Sequence, residues 1–202
     1  PPEPLLIDGG VFNAEGGYDG SLAGPADSRL GYTAPALFDW NRDGLLDVLF
    51  SDIKGRLYVS LQSVGRGFAE PMDIFVEGLE FHGAWRVQPA VTDWNGSGFV
   101  SIVTFDENDQ LHLYERNDNR MLLDRGVLTT ETGAVITANA LNASGIGRVR
   151  LQLTDWDSDG AVDLLVGTSP NTSIPDPESG LPLHAETGDA VVLFLRNTGT
   201  NG

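Results

Sequence analysis

The amino-acid sequence predicts an all-β fold, a β-propeller built of four-stranded antiparallel blades. A nine-residue, acidic, glycine-containing loop occurs three times, beginning at Asp39, Asp93 and Asp155. The first two copies start 54 residues apart, and the last two start 62 residues apart. Short apolar runs bounded by turn residues flank every copy, as is typical of buried strands. Four-stranded repeats at about this period are typical of propeller blades, which bury their faces by stacking on one another.

The chain contains about three such blades, in residues 33–86, 87–147 and 148–202. Residues 1–32 are rich in Gly, Pro, Ser and Asp, which predicts an N-terminal connector or partial blade in which only residues 4–7 resemble a strand. Propellers usually have four to eight blades, so we expect this chain to be part of a larger ring. Either a longer polypeptide or other chains would complete that ring. The third unit ends before its fourth strand, which favours a longer polypeptide.

The strands of each unit follow from the apolar runs. In the first unit they are predicted at residues 35–38, 48–50, 57–61 and 72–76, and in the second around 102–105, 111–114 and 121–128. In the third they are predicted at residues 151–153, 164–166 and 191–195, with a long insertion before the last. Each acidic loop would then join strands one and two of an antiparallel meander.

Two of the acidic loops have the composition of a calcium site. Carboxylates occupy positions 1, 3, 5 and 9 of the third loop, a glycine that permits a sharp turn occupies position 6, and position 7 can offer its backbone carbonyl. The first loop has an amide in place of one carboxylate. The predicted ligands are Asp39, Asn41, Asp43, Leu45, Asp47, Asp155, Asp157, Asp159, Ala161 and Asp163. We therefore expect two structural Ca²⁺ ions, because calcium prefers six to eight oxygen ligands.

Two other interpretations bear on these loops. Asp/Gly-rich composition also favours an ordinary surface turn, although two complete copies weigh against that interpretation. The loops are not EF-hands, because Phe50 and Val166 occupy position 12, where an EF-hand has Glu. The middle copy, which begins at Asp93, keeps one carboxylate, and we expect it to bind no metal.

The loop pattern, set between apolar strands, resembles the FG-GAP repeat family, also called VCBS repeats. Residues 39–47 and 155–163 match the family's calcium loop, and residues 196–199 are similar to its common blade ending. The resemblance covers residues 33–202 and implies a calcium-binding propeller, often seven-bladed. Such repeats occur in integrin α-subunits, secreted lectins, polysaccharide lyases and bacterial surface proteins, so the resemblance implies a fold more than an activity.

Composition narrows the classes of partner. The net charge is −17, from 29 acidic and 12 basic residues, so nucleic acid and anionic membranes are not expected partners. The absence of cysteine excludes disulfides and zinc–thiolate sites. No 18-residue apolar stretch is present, so no membrane span is expected. Weak calcium sites belong outside the cytosol, which predicts a secreted, periplasmic or cell-surface protein.

The aromatic and histidine residues do not compose an active site. Trp40, Trp94 and Trp156 each follow the first Asp of a loop, which favours packing between blades over a sugar-stacking platform. His112 falls inside a strand, aligned with Tyr58 and Val192, and is interpreted as structural. The other two histidines lie in loops and are interpreted as solvated. Because no catalytic motif is present, no catalytic residue is predicted.

The opposite end of each blade from the acidic loops is the predicted ligand face. It carries the long segments at residues 130–147 and 168–190, together with His82, Trp85 and Arg86. Long loops on a rigid scaffold often bind ligands, although they can also be merely tolerated. The sequence thus predicts a calcium-stabilised extracellular binding or scaffold module for a carbohydrate or protein ligand. The alternative is part of a carbohydrate-active enzyme, such as a propeller-type polysaccharide lyase.

Overall fold

The computed structural model describes residues 6–7, 9–11, 33–52, 54–65, 67–84, 88–138, 149–167 and 192–199. Within these ranges every regular element is a β-strand, as the all-β prediction requires, and no helix is long and apolar enough to span a membrane. In chain order the strands are β1 (Leu6–Ile7), β2 (Gly10–Val11), β3 (Ala34–Phe38), β4 (Asp47–Ser51), β5 (Leu57–Ser60), β6 (Gln62–Ser63), β7 (Gly67–Phe68), β8 (Met72–Asp73), β9 (Phe75–Val76), β10 (Leu79–Glu80), β11 (Ala90–Thr92), β12 (Ser101–Phe105), β13 (Leu111–Arg116), β14 (Met121–Val127), β15 (Arg150–Thr154), β16 (Asp163–Gly167) and β17 (Val192–Leu195).

Three antiparallel sheets repeat one plan. Their orders are β3-β4-β5-β8, β11-β12-β13-β14 within a larger sheet, and β15-β16-β17. In all three the acidic loop joins the first and second strands, and its ninth residue pairs with the last residue of the first strand. The second strand of the first two sheets is buried along its whole length, because neighbouring sheets cover both of its faces. The predicted antiparallel meanders are confirmed in these described strands.

The prediction of one strand at residues 72–76 is wrong, because this segment forms two short strands, β8 and β9, in different sheets. Met72 and Asp73 pair with β5, but Phe75 and Val76 pair in parallel with β14 of the second sheet, which thereby has six strands. The change occurs at Ile74, which is buried and donates its N–H to the carbonyl of Leu57. Phe75 N–H then donates to the carbonyl of Arg120, so the chain joins the two sheets at this residue.

The pairing also corrects one alignment across the repeats. His112 lies opposite Thr104 in the second sheet, and the equivalent residue of the third sheet is Leu193, opposite Val166. The sequence alignment with Val192 is therefore wrong by one residue, because the long insertion concealed the register.

The N-terminal segment contributes two strands to a small sheet of order β2-β1-β7-β6, in which β1 matches the predicted strand and β2 falls in the predicted connector.

The core lies between the repeated sheets. The first strand of the second sheet, β11, lies beside the first strands of both other sheets. One apolar cluster is formed between the first two sheets and includes Trp40, Leu49, Val59, Ile102 and Leu122. A second cluster, between the second and third sheets, includes Val103, Leu111, Leu151, Leu164 and Val166. This side-by-side stacking brings neighbouring acidic loops together, and the guanidinium of Arg42 lies 4.2 Å from the ring centroid of Phe99.

Candidate metal centre

The third acidic loop brings three carboxylates together. Oxygens of Asp155, Asp157 and Asp159 lie within 4.8 Å of one another, and all three side chains are exposed. The backbone turns through two left-handed residues, Ser158 at φ 62° and Gly160 at φ 91°. The Asp155 carboxylate accepts the N–H groups of Asp159 and Gly160 at 3.1 Å each, which closes the turn. Three anionic groups are thus held at one place by the backbone itself.

The guanidinium of Arg196 faces this carboxylate group. Its Nε lies 2.8 Å from Asp157 Oδ2, and a terminal nitrogen donates to Asp159 Oδ2 at 3.0 Å. The pKa of Asp159 is lowered from its ordinary value by the N–H of Ala161 and then by Arg196. The ionised form of Asp159 is therefore favoured, and it attracts positive charge.

The carboxylate at position 9 of each complete loop is buried, unlike the exposed carboxylates of the third loop. Asp163 and Asp47 are almost fully buried. Asp163 accepts the N–H of Trp156 at 3.0 Å and, at 2.9 Å, the N–H of Asn197 just after β17. Asp47 accepts the equivalent N–H groups of Trp40 and Gln62 at 2.8 and 2.7 Å. These carboxylates fasten the loop to the end of the third strand. Asp47 Oδ2 also accepts the N–H of Asn41 at 3.4 Å, whereas Asp47 Oδ1 keeps a lone pair that a ligand could use.

Burial raises the pKa of Asp47 above its ordinary value, while hydrogen bonds from Gln62, Trp40 and Asn41 oppose that rise. The ionised form of Asp47 is therefore penalised by desolvation. A cation bound in the same loop would favour that ionised form.

The first loop has a similar course with one carboxylate fewer. Asp43 N–H lies 3.0 Å from both Asp39 Oδ1 and Asn41 Oδ1, so these two oxygens converge on one point. The amide nitrogen of Asn41 donates to Asp43 Oδ2 at 2.9 Å. Arg42 and Gly44 are left-handed, at φ 65° and φ 86°. The predicted ligand Leu45 directs its N–H to Asp43, at 2.9 Å.

The second loop has the same backbone turn as the other two but keeps only one carboxylate, that of Asp93. Gly96 and Gly98 are left-handed at the two equivalent positions, with φ 68° and 78°. Gly98 N–H donates to Asp93 Oδ2 at 2.7 Å, as its counterparts do in the other loops. At position 5, where the other loops have Asp43 and Asp159, Ser97 accepts the N–H of Phe99 through its hydroxyl. Asp93 Oδ1 is buried without a hydrogen-bond partner within the described ranges.

The oxygen atoms of the third loop fit a hard divalent cation. Calcium is bound by carboxylates, backbone carbonyls and waters at about 2.3–2.6 Å. Asp155, Asp157 and Asp159 supply the convergent carboxylates, and their exposure leaves room for waters. The first loop offers the same positions with an amide oxygen at Asn41. The ligand roles of both complete loops stay predictions.

Sequence reasoning missed two buried carboxylates at the opposite end of the sheets. Asp52 accepts the N–H groups of Lys54 and Arg56 at 2.8 and 3.0 Å, and its other oxygen pairs with the Arg56 guanidinium at 2.8 Å. Asp106 is its counterpart in the second sheet and lies 3.3 Å from His112. Both carboxylates build the turn between strands two and three. Their common position 13 residues after the first Asp of the loop is the signal that could have identified them.

The tryptophans differ in exposure although they occupy one repeated position. Trp40 is 1% exposed and donates to the carbonyl of Asn119 in the neighbouring sheet, which confirms its predicted packing role. Trp94 is half-buried against the second apolar cluster. Trp156 is 62% exposed, so packing within the described residues does not account for it.

Most of the predicted ligand face lies outside the described residues. These include Trp85, Arg86, His184, residues 139–148 and the insertion 168–190. His82 is half-exposed, and its Nε2 lies 3.7 Å from Glu80. His112 stacks on Tyr114 and contacts Asp106 and Asp124, consistent with its structural interpretation.

Comparison with known proteins gives no assignment. No family model matches the chain, and no curated protein sequence is significantly similar to it.

Proposed function

We propose that this chain is a calcium-stabilised segment of a β-propeller that acts outside the cytosol as a binding or scaffold module. The proposal rests chiefly on the repeated relation between loop and sheet. Three loops, each with left-handed residues at positions 4 and 6, join the first two strands of three neighbouring sheets. The first strands of those sheets lie side by side, an arrangement that suits blades around a common axis.

Calcium would act on the scaffold. Asp155, Asp157 and Asp159 would hold one ion, and Asp39, Asn41 and Asp43 the other, with the buried Asp163 and Asp47 beneath each site. When bound, the ion supplies positive charge among carboxylates that otherwise repel one another. The loop residues supply the turn, and the ninth carboxylate connects it to the third strand. Folding would thereby be coupled to calcium concentration by linkage.

Calcium titration of one loop at a time tests the metal. Isothermal titration should detect two ions bound to the wild-type chain and one ion bound to the Asp157→Ala variant. Glu70→Ala is the matched control, because it removes an exposed carboxylate that lies outside the loops. Equal calcium binding by wild type and Asp157→Ala would contradict the proposal.

The binding role is tested separately from the metal. The insertion at residues 168–190 belongs to the predicted ligand face. Replacing it with a short turn should leave the melting temperature nearly unchanged and abolish binding to any ligand found on a glycan or protein array. If the shortened chain unfolds, the segment belongs to the scaffold and the assignment of the ligand face is wrong.

A further inference from the structure

An open cleft between the first two repeated sheets lies beside the acidic loops. Its volume is about 790 Å³, and it is lined by Met72, Phe75 and residues 116–121, which form the hairpin between β13 and β14. The hairpin packs against the first acidic loop, because Trp40 donates to the carbonyl of Asn119. The cleft is thus at the opposite end of the sheets from the predicted ligand face.

Two arginines that line this cleft, Arg116 and Arg120, have no carboxylate partner among the described residues. Arg56, Arg125 and Arg196 each pair with a carboxylate. Within the described ranges, Arg116 and Arg120 form no such pair, and neither does Arg42 on the adjoining loop. In a chain with 29 acidic and 12 basic residues, this cleft brings together two arginines without an ion-pair partner, and Asp118 is the acidic residue of its lining. Such arginines attract anions.

Aromatic rings hold these guanidinium groups in place. Arg120 lies 5.2 Å from the ring centroid of Phe75, and Arg116 lies 5.8 Å from that of Trp40. Stacking uses the faces of a guanidinium and leaves its N–H edges for other partners. Arg120 donates its Nε–H to the carbonyl of Asp73 at 3.4 Å, which leaves its terminal N–H groups for a ligand.

Only some of the hydrogen-bond donors of the Arg116 guanidinium have a partner within the described part of the protein. One terminal nitrogen donates to Asn119 Oδ1, but Nε is buried without a hydrogen-bond partner among the described residues. Burial and the nearby charge of Arg42 lower the pKa of Arg116 from its ordinary value. An anion beside this guanidinium would favour its charged form.

We propose that this cleft binds a carboxylate-bearing saccharide, of the uronic acid class. A planar guanidinium pairs with a carboxylate through two parallel hydrogen bonds. The exposed amide of Asn117 can both donate and accept, as ring hydroxyls require. Phe75 and the two methionines offer apolar contact to the faces of a sugar ring. The volume also falls within the range usual for small-molecule sites.

Binding of an oligogalacturonate to the full 202-residue chain tests the proposal. The titration is made with a chelator present, because uronates bind calcium themselves, so the result does not depend on the metal sites. Arg120→Gln should weaken binding by about tenfold, as expected for loss of a charge-assisted hydrogen bond. The half-buried Arg116 is left unchanged in this first variant. The control Arg125→Gln removes an exposed arginine charge from β14, outside the cleft lining, and its affinity should stay within about twofold of wild type.

Asn117→Ala provides a second variant, because its backbone hydrogen bond to Met121 is retained. It should weaken saccharide binding without lowering the melting temperature. The proposal would be overturned by no binding of the uronate by wild type, by equal losses in Arg120→Gln and Arg125→Gln, or by equal affinity for a glutamate oligomer of matched charge. Binding of a neutral glucan with the same affinity would overturn it as well.

Discussion

The second and third acidic loops share a backbone and differ in charge. Both turn through left-handed residues at positions 4 and 6, and both direct the position-6 N–H to the first Asp. The third loop places three carboxylates within 4.8 Å, whereas the second has one carboxylate, an amide and a hydroxyl at the same places. The turn therefore forms with glycines and a single carboxylate, helped by the side chains of Asn95 and Ser97. The additional carboxylates of the third loop are not needed for its shape, and we propose that they serve to bind a ligand.

Substitution of the buried ninth residue should give the largest difference in stability between the two loops. Asp163→Ala leaves the part-buried N–H groups of Trp156 and Asn197 without this acceptor, and a polar group that loses its partner costs about 1–3 kcal/mol when it is buried. We expect a loss of about 3 kcal/mol in the free energy of unfolding, measured by urea denaturation in chelator. Ser101→Ala in the second loop is the control and should cost less. Equal losses would show that Asp163 does not fasten the loop.

Adding the missing carboxylates should convert the second loop into a metal site. Asn95→Asp combined with Ser97→Asp reproduces positions 3 and 5 of the third loop on the same backbone. The double variant should bind one more calcium than wild type. At a calcium concentration tenfold above the dissociation constant, it should gain about 1.4 kcal/mol of stability from that ion. Differential scanning calorimetry with and without calcium measures the gain, and no gain would mean that the buried Ser101 position is essential.

A smaller effect should follow from removing the cation that faces the third loop. Arg196 contacts two of the three proposed carboxylate ligands, so it competes with a metal for them. Arg196→Gln should raise the calcium affinity of this loop a few-fold, measured by isothermal titration. The affinity of the first loop in the same variant is an internal control. A lowered affinity in the third loop would mean that Arg196 supports the metal site.

The smallest effect concerns the one carboxylate of the second loop. Asp93→Ala should leave the number of bound calcium ions unchanged, since no other acidic residue accompanies it. The variant should still lose some stability, because Gly98 N–H loses its acceptor. A simultaneous loss of one ion would show that the second loop binds metal in the wild-type chain.

Much of the local structure could be predicted because it depends on short-range patterns. Apolar runs on either side of the acidic loops predicted β4, β12 and β16, and the position of glycine predicted the turns. The departure at Phe75 could not be predicted, because it depends on a pairing with β14 about 45 residues later in the chain. The register of β17 failed for a related reason, since the insertion before it removes the local signal.

The candidate sites likewise differ in how far the sequence could predict them. The carboxylate group of the third loop follows from spacing alone. The arginine cleft does not, because it is assembled from two sheets: Met72 belongs to the first sheet, and Phe75 and the arginine-bearing hairpin belong to the second. The turn-forming Asp52 and Asp106 were within reach of the sequence, because they recur at one distance from the loops.

The most direct test of the proposed metal sites is the number of calcium ions bound per chain, counted by native mass spectrometry of the wild type and of the Asp157→Ala and Asp43→Ala variants. We expect two ions for wild type, one for each single variant and none for the double variant. Binding of no calcium by wild type would contradict the assignment of the complete loops as metal sites. Binding of three ions would contradict the distinction between the second loop and the other two.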